Sequence, residues 1–229
     1  MKQWFPFTDY DFYAYLASGM LLIAAVDYTF GGAVLVQRTD WTVVQIVFWT
    51  VVAYLIGQLL AGPSAAVLEH GVVRNLLHAP SAIILGLQKR RWGERMLARM
   101  FAGREYAPLP EQVRDRILNG AAAKLGVERR SIHDPEMVFQ VAYPTARAVA
   151  DAAARMDQFR NLYGFSRNIS FVGLIATILL ATKLCQAPSA HTAWLLVGAI
   201  FLAIGMFGRF LKFYAAFSHE VFRTYAASI

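Results

Sequence analysis

The sequence has a single cysteine, Cys185, among 229 residues. One thiol excludes an internal disulfide and any zinc site built from several thiolates, and leaves Cys185 as a small apolar filler. Charge is scarce too: Asp, Glu, Lys and Arg make up 16% of the chain, and residues 43–68 have none. The short motifs that announce catalysis are also missing. There is no H-E-x-x-H, which would set two imidazoles one helical turn apart, no G-x-S-x-G, no phosphate-cradling P-loop, no G-x-G-x-x-G and no helix of paired carboxylates. His70, Arg74 and His78 recur at spacing four beside Glu69, but the two imidazoles would stand about 12 Å apart along a helix axis, too far for one metal ion. His133, Asp134 and Glu136 cluster in SIHDPE, a pattern that serves a turn or cap before it serves acid–base chemistry. No catalytic residue, metal or cofactor is expected, and the chain is read as a non-enzyme.

What the chain has instead is apolar length. Hydrophobic residues reach 57%, above the roughly 45–50% of soluble domains, which points to a membrane. A helix needs roughly 20 apolar residues to cross a hydrocarbon core of about 30 Å. Four runs come near that length: 13–36, 43–68, 169–184 and 192–207. The third carries Lys183 near its far end, where a long side chain can snorkel to the interface. The first is too long for a secretory signal and is expected to stay in place. The expectation is an all-α polytopic membrane protein: four transmembrane helices in two hairpins, with a helical cytoplasmic part continuous with them. Of 22 Lys and Arg, only Arg38 and Lys183 fall in the two short connections. The rest lie in the N-terminal segment, the long middle segment and the tail, so the positive-inside rule puts all three, and both termini, on the cytoplasmic side of a bacterial inner membrane. The segments are then an anchor and first hairpin, 1–68; a basic cytoplasmic segment, 69–168; a second hairpin, 169–208; and an amphipathic tail helix, 209–229. The net charge of +7 makes anionic headgroups a ready partner; nucleic acid is not indicated.

Local patterns refine this outline. The aromatic crowd Trp4, Phe5, Phe7, Tyr10, Phe12, Tyr13 and Tyr15 reads as an interfacial anchor. Gly62 and Pro63 are expected to bend or end the membrane part of the second helix. Leu109, Val113, Ile117, Ala121 and Leu125 at spacing four predict an amphipathic helix opened by Pro110 and stopped by Gly126. From Thr145 to Leu184 one unbroken helix of about 60 Å is expected, half of it a cytoplasmic stalk. Its seam, Val149, Ala152, Met156, Phe159 and Tyr163, is answered by Phe210, Phe213, Tyr214, Phe217 and Val221 in the tail, so the two stalks should pack antiparallel.

The candidate site residues are polar side chains in apolar or interfacial settings. Arg91, Arg95 and Arg99 form an i, i+4, i+8 row for headgroups or a phosphorylated ligand. Arg160–Asn161 recurs seven residues on as Arg167–Asn168, so both pairs should face nearly one side and bind headgroups or an anionic ligand, with Arg suited to bidentate capture of phosphate. Asp27, Gln58 and Thr177 are intramembrane polar residues. Asp27 is placed at the depth of Val52 and Thr177, with Thr177, Thr50 or Tyr54 as its nearest donors and no cation at its level. Small residues at spacing four, Ala53, Gly57, Ala61 and Ala65 among them, are more numerous than one bundle needs and argue for self-association. The functional expectation is a non-enzymatic, homo-oligomeric sensor, scaffold or effector whose basic cytoplasmic part binds an anionic ligand, lipid headgroups or a partner protein. An ion channel ranks second and a lipid-modifying enzyme third.

The opening FTDYDFYAYLASG, residues 7–19, resembles the lead-in to the first membrane helix of uncharacterised bacterial four-helix inner-membrane proteins, some of them encoded in antiphage defence loci. That resemblance implies a membrane-embedded sensor or effector in antiviral defence, working with a cytoplasmic partner, and assigns no site residue.

Overall fold

A computed structural model describes residues 12–75, 77–89, 95 and 106–229. Among these, 81% are helical and none lies in a strand, so the chain is all-α. Among the described residues three helices are long and apolar enough to cross a membrane, Val43–Arg74, Ala150–Gln186 and Ala190–Ser228, and Ala14–Phe30 is a shorter apolar helix. The chain forms two compact units, Met1–Glu69 with Gly164–Phe207 and His70–Tyr163 with Gly208–Ile229.

In the first unit, one π-helical turn, Phe12–Leu16, leads into α1, Ala17–Phe30. The expected apolar helix over 13–36 is therefore cut short. Gly31 and Gly32 follow Phe30, Gly32 takes a φ of 68°, and Ala33 is held at 64°, a left-handed conformation that costs a residue with a Cβ about 1–2 kcal/mol. Asp27 offsets that cost. Its backbone carbonyl accepts the Gly31 and Ala33 N–H groups at 2.8 and 3.1 Å, and its carboxylate accepts those of Leu35 and Val36 at 2.8 and 3.1 Å. α2, Val43–Ser64, starts at a capping box in which Thr42 and Gln45 satisfy each other's backbone N–H. Its pairing with α1 is backbone to backbone. A Cβ built on Gly19 would overlap the Ala53 carbonyl, and one on Gly57 the Tyr15 carbonyl; glycine alone permits that approach.

α2 runs through Pro63 and then widens into a π-helix, Ala65–Arg74. Proline has no N–H to donate and its ring crowds the preceding turn, so the expected break is taken up as a change of winding. The other two long helices are α6, Ala150–Gln186, and α7, Ala190–Ser228. Within the first unit they run antiparallel: Ser170 Oγ donates to the Ala203 carbonyl at 2.9 Å, and a Cβ on Gly173 would lie 2.9 Å from Ala203 N. Around them Phe30, Val43, Val44, Leu59, Trp194 and Phe201 are more than 70% exposed, an arrangement that water punishes and hydrocarbon does not.

The second unit has an ordinary aqueous-protein core. α3, Pro80–Ile84, and α4, Glu111–Leu125, pack with α5, Pro135–Arg147, through Ile84, Ile117, Ala121, Val138 and Ala142, together with Met156 of α6 and Phe222 and Tyr225 of α7. α4 ends as expected on Gly126, left-handed at φ 66°. Asp134 caps α5 by accepting the Glu136 N–H at 2.8 Å, with Pro135 in the first turn. The helix expected to run unbroken from Thr145 breaks at Ala148 and Val149. Ala146 and Ala152 are both buried in the one core. Six residues apart on a straight helix they would face about 120° away from each other, and the corner lets both point inward. Arg147 grips Asp157 across it at 2.9 and 3.3 Å, and this guanidinium holds the Asp157 carboxyl below the usual carboxylate range. Val149, expected in the seam, is 42% exposed at the corner, while Ala152 and Met156 are buried. Tyr163 stacks on Tyr214 with ring centroids 5.5 Å apart, and Arg155 pairs with Glu220 at 2.7 Å, so these stretches run antiparallel, as expected.

Candidate functional site

Asp27 is 8% exposed, and its oxygens are turned onto the chain's own backbone. None of the expected side-chain donors, Thr177, Thr50 or Tyr54, is among its hydrogen-bond partners. Thr177 Oγ1 donates to the Gly173 carbonyl at 2.8 Å, and Tyr54 Oη accepts from exposed Gln58 Nε2 at 2.9 Å. A cation does reach this level. The Lys183 ammonium bonds the carbonyl of Tyr28, the next residue, and lies 4.0 Å from its ring centroid. Tyr28 Oη is also 2.8 Å from Thr192 Oγ1. Depth counting missed the Leu35 and Val36 donors because the turn after Phe30 folds back toward Asp27, and missed Lys183 because its long side chain reaches along the helices to Tyr28.

The repeated Arg–Asn pairs have different environments. Arg160 is half exposed and pairs with Asp157 one turn away at 3.3 Å; Asn161 is partly buried. Arg167 is largely enclosed within the first unit, its guanidinium 3.0 Å from Glu69, 3.2 Å from Ser64 Oγ and 3.4 Å from the Ala61 carbonyl. Asn168 is fully buried, with Oδ1 2.6 Å from Ser64 Oγ. Its Nδ2, like Ser166 Oγ, has no partner among the described residues. Arg167 therefore faces a π-helical carboxylate. Of the arginine row, Arg95 is exposed; Arg91 and Arg99 lie outside the described residues.

A second polar assembly lies in the second unit. A cleft of about 500 Å³ is lined by Arg74, His78, Ser81, Gln88, Asp134 and Glu136. Arg74 ends the π-helix and reaches Glu136 in the first turn of α5 at 4.0 Å, both side chains about half exposed. The two clusters lie some sixty residues apart in sequence. No spacing rule joins them, because their meeting depends on how α5 packs against α3 and α4. Among the described residues there is no group of three or more His, Cys, Asp or Glu able to hold a metal ion. No family model matches the chain, and no match was found among curated proteins or solved structures.

Proposed function

We propose that the chain is a bacterial inner-membrane protein with four transmembrane helices in two hairpins, its second unit and both termini in the cytoplasm. It acts as a homo-oligomeric sensor, scaffold or effector that receives an anionic ligand or partner without catalysis. One observation carries this reading. Counted over the sequence, the second unit holds 18 Lys and Arg against 10 Asp and Glu, a net of +8, and the first unit holds 4 against 5, a net of −1. All of the positive excess thus belongs to the unit with the aqueous-type core, and the unit with bare apolar helices has none. The positive-inside rule counts Lys and Arg near the span ends, where Arg74, Arg160, Arg209 and Lys212 outnumber Arg38 and Lys183 of the short connections, and this supports a cytoplasmic second unit.

The ligand surface is the exposed basic side chains of the second unit, Arg95 and Arg160 among them, since the cleft at Arg74 also holds the carboxylates of Asp134 and Glu136, which repel an anion. Self-association rests on open small positions of α7: Gly198 and Gly205 meet nothing within 4 Å, whereas Gly57 and Gly173 are already used inside the chain. The test is capture. Nanodiscs of neutral lipid carrying the full chain should tether anionic vesicles at low salt and release them as the Debye length falls from about 10 Å at 0.1 M to about 3 Å at 1 M. Absence of capture, or conductance of the purified protein in planar bilayers, would replace this reading, the latter with a channel.

A further inference from the structure

The fold-back after α1 builds a slot that its own chain leaves open. Met20 and Ala24 of α1, Leu35 and Val36 of the turn, and Trp41 and Trp49 beyond it line a pocket of about 160 Å³. Every lining side chain is apolar apart from the indole nitrogens. The slot is open on one side, and it offers a guest almost only apolar contacts. Two of its walls exist because of Asp27: the two N–H groups the carboxylate accepts are those of Leu35 and Val36. A membrane-buried carboxylate costs on the order of 2.5–3.5 kcal/mol on insertion scales, and here it pins a turn that shapes a hydrocarbon-lined slot. The slot adjoins the bare apolar surface of the same helices, where Met20 is 47% and Val36 57% exposed.

A cation stands beside the slot. The Arg38 guanidinium lies 5.4 Å over the ring of Trp41, a lining residue, and the Trp41 indole donates back to the Arg38 carbonyl at 3.0 Å. Arg38 Nε donates to the Asp40 carbonyl at 2.9 Å, and among the described residues no carboxylate lies within ion-pair distance of it. An exposed charge without a carboxylate partner next to an apolar slot fits one amphiphile better than a purely apolar guest. We propose that this pocket is a phospholipid site: a stretch of one acyl chain fills the slot, and the lipid phosphate pairs with Arg38. The inference rests on the membrane placement of α1 proposed above.

The test uses the full chain in vesicles with two photoreactive probes, phosphatidylglycerol and diacylglycerol, each bearing a diazirine partway along one acyl chain. Crosslinks are mapped by mass spectrometry. The reference is Phe201, a bare side chain at 80% exposure away from the slot. Phosphatidylglycerol should label residues 20–24 and 49–53 severalfold more than the Phe201 segment, and Ala24→Phe, which fills the slot, should reduce that labelling to the reference level. Arg38→Gln, at an exposed position that does not threaten folding, should cut phosphatidylglycerol labelling by about threefold, the scale of an exposed ion pair, and leave diacylglycerol labelling unchanged. If the Phe201 segment is labelled and the slot is no better, or if Ala24→Phe changes nothing, the site is refuted while the membrane reading stands. Equal labelling by both probes with no effect of Arg38→Gln refutes the phospholipid assignment. Labelling of neither segment removes the membrane placement, and the site with it.

Discussion

Asp27 accepts two backbone N–H groups through one carboxylate oxygen, Oδ2, and a single oxygen with two lone pairs suffices for that. Asp27→Asn should therefore keep the turn and the unfolding midpoint in detergent, because the amide oxygen can accept both bonds. Asp27→Leu leaves two donors unsatisfied, each costing about 1–3 kcal/mol, and should lower the midpoint clearly. Equal midpoints for the two variants would show that the turn does not depend on the acceptor. Arg167 offers a second contrast. Its side chain is 12% exposed and that of Glu69 16%, so removing the cation strands a nearly buried carboxylate. Arg167→Gln should destabilise by about 1–3 kcal/mol, somewhat less than a fully enclosed pair would lose. Arg160→Gln, half exposed beside Asp157, should stay within about 0.5 kcal/mol of the wild type. Equal loss in both would mean that the Ser64, Glu69 and Asn168 network does not hold the helices together.

At the scale of elements, the tightest contact is the crossing of α1 and α2. Gly57→Ala pushes a methyl into the Tyr15 carbonyl, while Gly62→Ala enters open space. The first should disrupt the helix pair and lower yield and midpoint. The second should be neutral or stabilising by up to about 1 kcal/mol, through helix propensity; thermal melts of the two variants check this. What the sequence discloses at this scale is whatever depends on neighbours within a turn or two. The α4 stripe with its Gly126 stop, the apolar helices and the facing aromatic stalks are all of that kind. Three features were hidden: the turn after Phe30, the π-helix Ala65–Arg74 and the corner at Ala148–Val149. The turn is closed by bonds eight and nine residues apart, and the corner is set by two alanines sharing one core and by a pair ten residues apart. None of these leaves a periodic trace. The cleft was half legible: His78 with Arg74, and Asp134 with Glu136, stood out as clusters, but their convergence is a matter of packing.

For the whole molecule, the division of charge follows the division of the fold. The first unit carries bare Val, Leu, Phe and Trp, and the second carries the net charge of +8 around a core of Val138, Met156, Phe222 and Tyr225. Bare apolar helices in one unit and a charged surface over an apolar core in the other suit hydrocarbon around the first and water around the second, and the proposed cytoplasmic placement of the second unit rests on its Lys and Arg. The most direct test is labelling of single cysteines with a membrane-impermeant maleimide in intact spheroplasts, on a background in which Cys185 is replaced by Ala. Cysteines at Asp40 and Ser189, in the short connections, should react at once. Those at Asn119 and Ser228, both exposed in the second unit, should react only after the cells are opened. Reaction of Asn119 and Ser228 from outside, with protection of Asp40 and Ser189, would contradict the account.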